Sequence, residues 1–189
     1  PILIALLFGL AIIGERAYSL INSSTDTDQF FEEVKTIFSD SGKEQAIEFC
    51  ENSPGPVASI FYAGLSKMEK TKEEVEKAVQ NAGGLEMAFL EKNMIWINSV
   101  ITIAPMLGFT GTVVGMIKAF EDIKMANDIS PAVVAGGISQ ALLTTAFGLI
   151  VAMIMQVAQN FFVSMIDKLI LDMEEQSIKI VEYLHSSKK

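Results

Sequence analysis

The chain has 189 residues, 50% of them hydrophobic, with a formal net charge of -9 and a mean hydropathy of +0.39. Two runs free of Asp, Glu, Lys and Arg, 25 residues from Asn93 to Ile117 and 38 from Ile129 to Ile166, mark a membrane protein and exclude disorder. The 14 basic residues form no patch on this acidic background, which argues against nucleic acid as a partner, while one cysteine (Cys50) and one histidine (His185) leave no disulfide framework and no metal set.

The first element is Pro1 to Gly14, uncharged and closed by Glu15 and Arg16. Fourteen helical residues rise about 21 Å, short of the roughly 30 Å hydrocarbon core, so residues 1–21 read as a shortened first transmembrane helix. Residues 22–92 carry most of the charge and read as a water-facing helical domain. Within it, Phe30, Phe31, Val34, Ile37 and Phe38 recur at helical spacing. Ala46, Phe49 and Cys50 mark a short second helix, Ser53 to Pro56 a turn, and Val57 to Met68 a third helix. Thr71 followed by Glu74 is the signature of a capping box and opens a fourth. That helix is expected to pass through Gly83 and Gly84 straight into the next apolar run.

Residues 93–120 read as the second transmembrane helix, with Pro105 inside it as a candidate kink. A polar loop is expected at 121–130. Ser130 and Pro131 suit the cap and first position of the next helix. Residues 131–166 form the third transmembrane helix. Its 36 residues rise about 54 Å, so it projects beyond the lipid. Residues 167–189 continue it as an amphipathic C-terminal helix. Lys118 and Lys124 flank the loop, against Arg16, Lys92, Lys168 and Lys179 on the other side. This bias places the large domain and the C-terminus in the cytoplasm and residues 121–130 in the periplasm. The fold class is all-α: three membrane spans plus a helical cytoplasmic domain, with long helices extending past the bilayer.

Small residues and one threonine recur in matching order on both long runs. Gly108, Thr112, Gly115 and Ala119 fall at i, i+4, i+7 and i+11, and Ala141, Thr145, Gly148 and Ala152 repeat the spacing. Close helix packing explains either stripe alone. The two together also suit a narrow lumen that holds another helix, with uncharged hydroxyls at one level. A proton relay needs a titratable group, and neither span core carries one. If the protein conducts protons, the acid must come from another polypeptide.

The stretch PMLGFTGTVVGMIKAF from Pro105 to Phe120, and GISQALLTTAFGL from Gly137 to Leu149, resemble the signatures of the MotA/TolQ/ExbB proton-channel family. PGPVASIFYAGL from Pro54 to Leu65 resembles a cytoplasmic helix of the same family. The resemblance implies a homopentamer in the bacterial inner membrane, whose second and third membrane helices line a pore. That pore holds a dimer of a single-span ExbD/TolR-like partner, each copy with one essential intramembrane Asp. It implies that Thr112 and Thr145 face that Asp, and that ion flow drives movement serving an outer-membrane or envelope process. Three spans with a large domain after the first look like the ExbB/TolQ branch; a flagellar stator of the MotA type and a non-conducting scaffold are the alternatives. One departure is Gln140, where ExbB and TolQ commonly carry Glu. Thr144 beside Thr145 adds a hydroxyl of the kind sodium-driven relatives have, so H+ and Na+ both stay open. No cofactor, no metal site and no enzymatic constellation is expected. Cys50 is read as core, His185 as a solvated tail residue, and Trp96 as an interface anchor.

Overall fold

The structure is a computed structural model that describes residues 1–23, 26–126 and 131–186. Among these residues the chain is helical throughout: α1 (Ile2–Ser23), α2 (Thr27–Ser41), α3 (Lys43–Asn52), α4 (Pro56–Ser66), α5 (Lys72–Leu90), α6 (Met94–Ala126) and α7 (Pro131–Ser186). The chain divides into two compact units. One comprises Pro1–Arg16 and Asn93–Phe161, the other Ala17–Lys92 and Phe162–Lys189. Both α1 and α7 contribute residues to each unit.

The second unit holds the charged helices, and local chemistry explains where they start. Asp26 caps α2 by accepting the backbone N–H of Gln29 at 3.1 Å. Thr71 and Glu74 close a complete capping box on α5. The Glu74 backbone N–H donates to Thr71 Oγ1 at 3.3 Å, and the Thr71 N–H donates to the Glu74 carboxylate at 3.1 Å. These bonds from Thr71 hold the Glu74 carboxyl below its ordinary range. Gly42 and Gly55, at φ 92° and 102°, make the turns before α3 and α4.

The core of this unit is built from Phe30, Val34, Cys50, Ile60, Phe61, Leu65, Val79, Ile180 and Leu184, all buried. Aromatic rings organise it: Phe30 lies 5.5 Å from Phe49 and 5.6 Å from Phe61, while Tyr183 of α7 packs edge-on against Phe31 and Phe38. At the rim Lys179 bridges Asp28 (2.7 Å) and Glu175 (2.8 Å), and the buried Gln176 donates to Asp28 at 2.9 Å. Hydrogen bonds from Lys179 and Gln176 lower the Asp28 pKa, and those to Asp28 and Glu175 raise Lys179 to about 12.

The first unit is apolar. Helices α1, α6 and α7 supply the three segments long and apolar enough to cross a membrane, the second of these also taking in α5. Only 11%, 17% and 28% of the residues in their most apolar windows are buried inside the chain. Phe109, Phe120, Phe147 and Val157 are more than half exposed, so these faces need lipid or another polypeptide around them. Trp96, half exposed, meets Phe8 edge-on at 6.2 Å. Close approach is again visible at Gly9, where an added Cβ would lie 2.6 Å from the sulfur of Met155.

Two expectations are corrected. The helix expected to run unbroken from α5 into the membrane stops at Leu90 and restarts at Met94, across Asn93 at φ 67°. Gly83 and Gly84 stay helical, whereas Asn tolerates the left-handed conformation that ends a helix. The stretch expected to be a loop from Glu121 begins as helix and continues to Ala126, because Glu121, Asp122 and Lys124 do not break helices. The predicted cap at Ser130, the rest of that loop and the last three residues lie outside the described residues. The first helix, expected over residues 1–21, is observed as α1 and ends at Ser23. Arg16 is only 1% exposed and forks onto Glu15 at 2.6 and 2.7 Å, and Glu15 also accepts from Asn93 Nδ2 at 3.3 Å.

Candidate functional site

The site lies along the seam between α6 and α7. The two small-residue stripes face each other there. A Cβ at Gly108 would lie 2.9 Å from the carbonyl oxygen of Thr144, one at Gly115 2.9 Å from Cβ of Ala141, and one at Gly148 2.5 Å from the carbonyl oxygen of Ala104. The absence of side chains at these positions lets the two backbones touch. Gly108, Ala119, Ala141 and Gly148 are buried in this contact, while Ala152 is half-buried.

The threonines sit where the helices are closest. Thr112 Oγ1 and Thr145 Oγ1 are hydrogen-bonded to each other across the seam. Thr145 Oγ1 also reaches the Gly108 carbonyl at 3.1 Å, and Thr112 Oγ1 the Ala141 carbonyl at 3.1 Å. Thr144 Oγ1 lies 2.7 Å from the Ala141 carbonyl and 3.3 Å from that of Gly108. Each hydroxyl has one proton to donate. One consistent assignment has Thr145 donating to Gly108, Thr144 to Ala141 and Thr112 to Thr145. All three protons are then used inside the protein, and oxygen lone pairs remain to accept a hydrogen bond or meet a cation.

The structure thus brings Thr112, Thr144, Thr145, Gly108, Gly115, Ala141 and Gly148 together. Gln140 is exposed, one helical turn from Thr144. Pro105 lies inside α6, which runs through it without interruption. Among the described residues no cluster of His, Cys, Asp and Glu could hold a metal ion. Cys50 is buried in the other unit, and burial pushes its thiol up to about 12, which leaves it an inert packing group.

Sequence reasoning missed two participants, Gly137 and Asp122, and read Gly111 only as part of a small-residue pattern with Gly115. Gly137 meets Ala119, whose Cβ would lie 2.5 Å from one added at that glycine, and Gly111 meets the Thr144 hydroxyl at 2.6 Å in the same way. Asp122 shares a cleft with Gly115, Lys118, Gln140 and Thr144. Continuing the α6 stripe by one more turn, from Gly115 through Lys118 to Asp122, would have found it.

Residues 52–175 match the family described as the MotA/TolQ/ExbB proton channel family, which takes in α4, α5, α6 and most of α7. The chain is 27% identical over 182 residues to the biopolymer transport protein ExbB-like 3 of Synechocystis, covering 95% of this chain and 87% of that protein. It is 30% identical over 145 residues to an ExbB homolog of Methanothermobacter thermautotrophicus, covering 77% of this chain and 51% of the other. It is 29% identical over 125 residues to the Tol-Pal system protein TolQ of Pseudomonas aeruginosa, covering 59% and 54%. The chain therefore spans about half the length of the last two. With both helices of the seam inside the matched region, the chain belongs to the MotA/TolQ/ExbB proton channel family, among its ExbB- and TolQ-like members.

Proposed function

We propose that the chain is the pore-forming subunit of an inner-membrane motor driven by an ion-motive force. In this reading five copies surround a dimer of a single-span ExbD/TolR-like partner, and the movement that results energises an outer-membrane or envelope process. The helical unit built on α2 to α5 and the end of α7 faces the cytoplasm.

One observation carries the reading: three hydroxyls gather at one level of an apolar helix seam, in spans that supply no ionisable group of their own. The ion step then needs an acid from the partner, an intramembrane Asp. A charged Asp at mid-membrane costs about 2.5–3.5 kcal/mol on insertion scales, and hydrogen bonds from Thr112 and Thr145 lower that cost. Each charge that crosses 100 mV releases about 2.3 kcal/mol, so a few per cycle suffice to move one part against another. The ion is H+ in the first instance. Na+ is favoured instead by Thr144 and by Gln140, since a carboxamide cannot titrate but offers an oxygen to a metal cation.

A second reading, a non-conducting scaffold, has its own support. The threonine protons are all used inside one chain, as a purely structural seam would use them. Valine at both Thr112 and Thr145 separates the two, because it keeps shape and removes only the hydroxyls. The chain is to be co-expressed with any single-span protein encoded beside it, sized by native mass spectrometry and reconstituted into vesicles. A motor gives a five-to-two assembly whose ion flux the double variant abolishes while the assembly persists. Flux that survives the double variant refutes the hydroxyl-based ion step, whereas an assembly that carries no flux even with both threonines in place makes the scaffold reading lead.

A further inference from the structure

A cleft of about 330 Å³ runs along the loop-side half of the α6–α7 seam. Its α6 wall carries Gly111, Gly115, Lys118 and Asp122, a single face of the helix in steps of four, three and four. From Gly111 to Asp122 this face rises about 16 Å. The α7 wall carries Gly137, Gln140 and Thr144 at the same kind of spacing. Polar groups are therefore graded along its length. Thr144, whose hydroxyl bonds the Ala141 carbonyl, stands at the inner end next to the threonine cluster. Gln140 comes one turn further out, and Asp122 and Lys118 stand at the rim, all three exposed. The volume corresponds to about ten water molecules at liquid density, enough for a hydrated monovalent cation.

We propose that this cleft is the cation's way in to the threonine cluster, with Asp122 drawing cations into it and Lys118 opposing them. The proposal rests on the ion-driven reading above and deepens it by assigning the access route. A charged rim beside low-dielectric walls focuses its field into the cleft and changes the local cation concentration. Opposite charges one helical turn apart make the two residues antagonists: removing either one exposes the effect of the other. Gln140 stays uncharged and supplies a carbonyl oxygen between the rim and Thr144, where a partly dehydrated cation needs one.

The test reads the potential inside the cleft without requiring conduction. The chain, with its partner in lipid vesicles, carries Cys50→Ser and Gln140→Cys, so that the new thiol is the only one. It is modified with a cationic and with an anionic methanethiosulfonate of similar size, and the ratio of the two rates is the readout. Asp122→Asn lowers the cationic-to-anionic ratio about 3- to 10-fold, and Lys118→Gln raises it by a similar factor. Both shifts fade as ionic strength rises from about 0.01 M to about 1 M. Asp122→Cys in the same Cys50→Ser background reports whether the rim is reached. A reactive Asp122→Cys beside an inert Gln140→Cys means that lipid or another copy of the chain fills the cleft, and it overturns the proposal. A ratio unmoved by either charge variant also overturns it. Ion flux through the same vesicles keeps the two ideas apart. If valine at Thr112 and Thr145 abolishes flux while both rim variants leave flux and ratio unchanged, only the access route fails. If no variant alters flux, the threonine-based ion step on which the proposal rests fails with it; if the parent assembly carries no flux at all, the ion-driven reading itself fails.

Discussion

Gly148 lies directly against the α6 backbone, and Gly148→Ala tests whether that approach holds the site together. The added Cβ would lie 2.5 Å from the carbonyl oxygen of Ala104 and 3.2 Å from Cα of Gly108. Both obstacles are backbone, so no rotamer change relieves them. Restoring an ordinary contact of about 3.5 Å parts the helices locally by about 1 Å. Two effects then compete. Ala is a better helix former than Gly by about 1 kcal/mol. Against this, overpacking costs about 1–3 kcal/mol. Separation also stretches the 3.1 Å bond from Thr145 Oγ1 to the Gly108 carbonyl, at a further cost of about 0.6 kcal/mol for a hydrogen bond between membrane helices. The net expectation is a loss of about 1–2 kcal/mol. Gly84, inside α5 with no atom within 4 Å of its added Cβ, is the control. There the same substitution keeps only the helix-forming gain and stabilises by up to about 1 kcal/mol. Unfolding of the purified protein in mixed micelles, followed by circular dichroism, compares the two. A Gly148→Ala variant as stable as the parent, alongside a stabilised Gly84→Ala, refutes the argument that backbone contact holds the seam.

Other expectations concern the charged unit. Thr71→Ala removes the side-chain half of the capping box and destabilises by about 1 kcal/mol in the same micelle assay, while Thr71→Ser keeps stability near the parent. Because the Glu74 pKa is lowered in the folded chain, its contribution is present above the ordinary carboxylate value and disappears as pH falls through the folded value, so stability measured against pH declines less in acid for Glu74→Gln. The Asp28–Lys179 pair works at both ends of the scale. Asp28, lowered, loses its contribution as pH falls below the ordinary carboxylate range, and Lys179, raised to about 12, keeps its own up to the ordinary lysine value and loses it as pH climbs towards 12; Asp28→Asn flattens both arms. Cys50, buried and raised to about 12, stays unlabelled by a maleimide at neutral pH in the native protein and reacts once the chain is denatured, as mass spectrometry of the labelled chain checks.

How far the residues alone reach depends on whether an interaction is local. The capping box of Thr71 and Glu74 was legible because it closes within one turn and needs no distant partner. The stripes through Thr112 and Thr145 were legible as faces, since helical spacing fixes which residues share a side. Spacing does not say what a face meets. That Gly108 and Gly148 lie against the opposite backbone, and Gly115 against Ala141, is visible only in three dimensions. The break at Asn93 was not legible because it turns on a single asparagine in the left-handed conformation whose side chain is bonded to Glu15, far away in sequence. Asp122 was lost for a different reason: charge after an apolar run was equated with a loop, yet α6 outlasts its apolar stretch by several residues.

The seam also shows how a packing device and the proposed ion-handling device can occupy the same atoms. A carboxylate fixed between α6 and α7 would burden the chain with about 2.5–3.5 kcal/mol or more, whether or not a partner was present. Three hydroxyls bring no such cost, because Thr112 donates to Thr145, Thr145 to the Gly108 carbonyl of the facing helix and Thr144 to the Ala141 carbonyl of its own. They stabilise the bare helix pair, and their lone pairs stay available. In the proposed motor the charge then enters only with the partner, and only for as long as the partner's acid is ionised. Rotation about a single C–O bond in Thr112 or Thr145 is enough to turn a donor from its internal acceptor towards that acid. Such a seam is stable before assembly and responsive after it, which is the combination a helix pair needs if its neighbour is to gain and lose charge repeatedly against it.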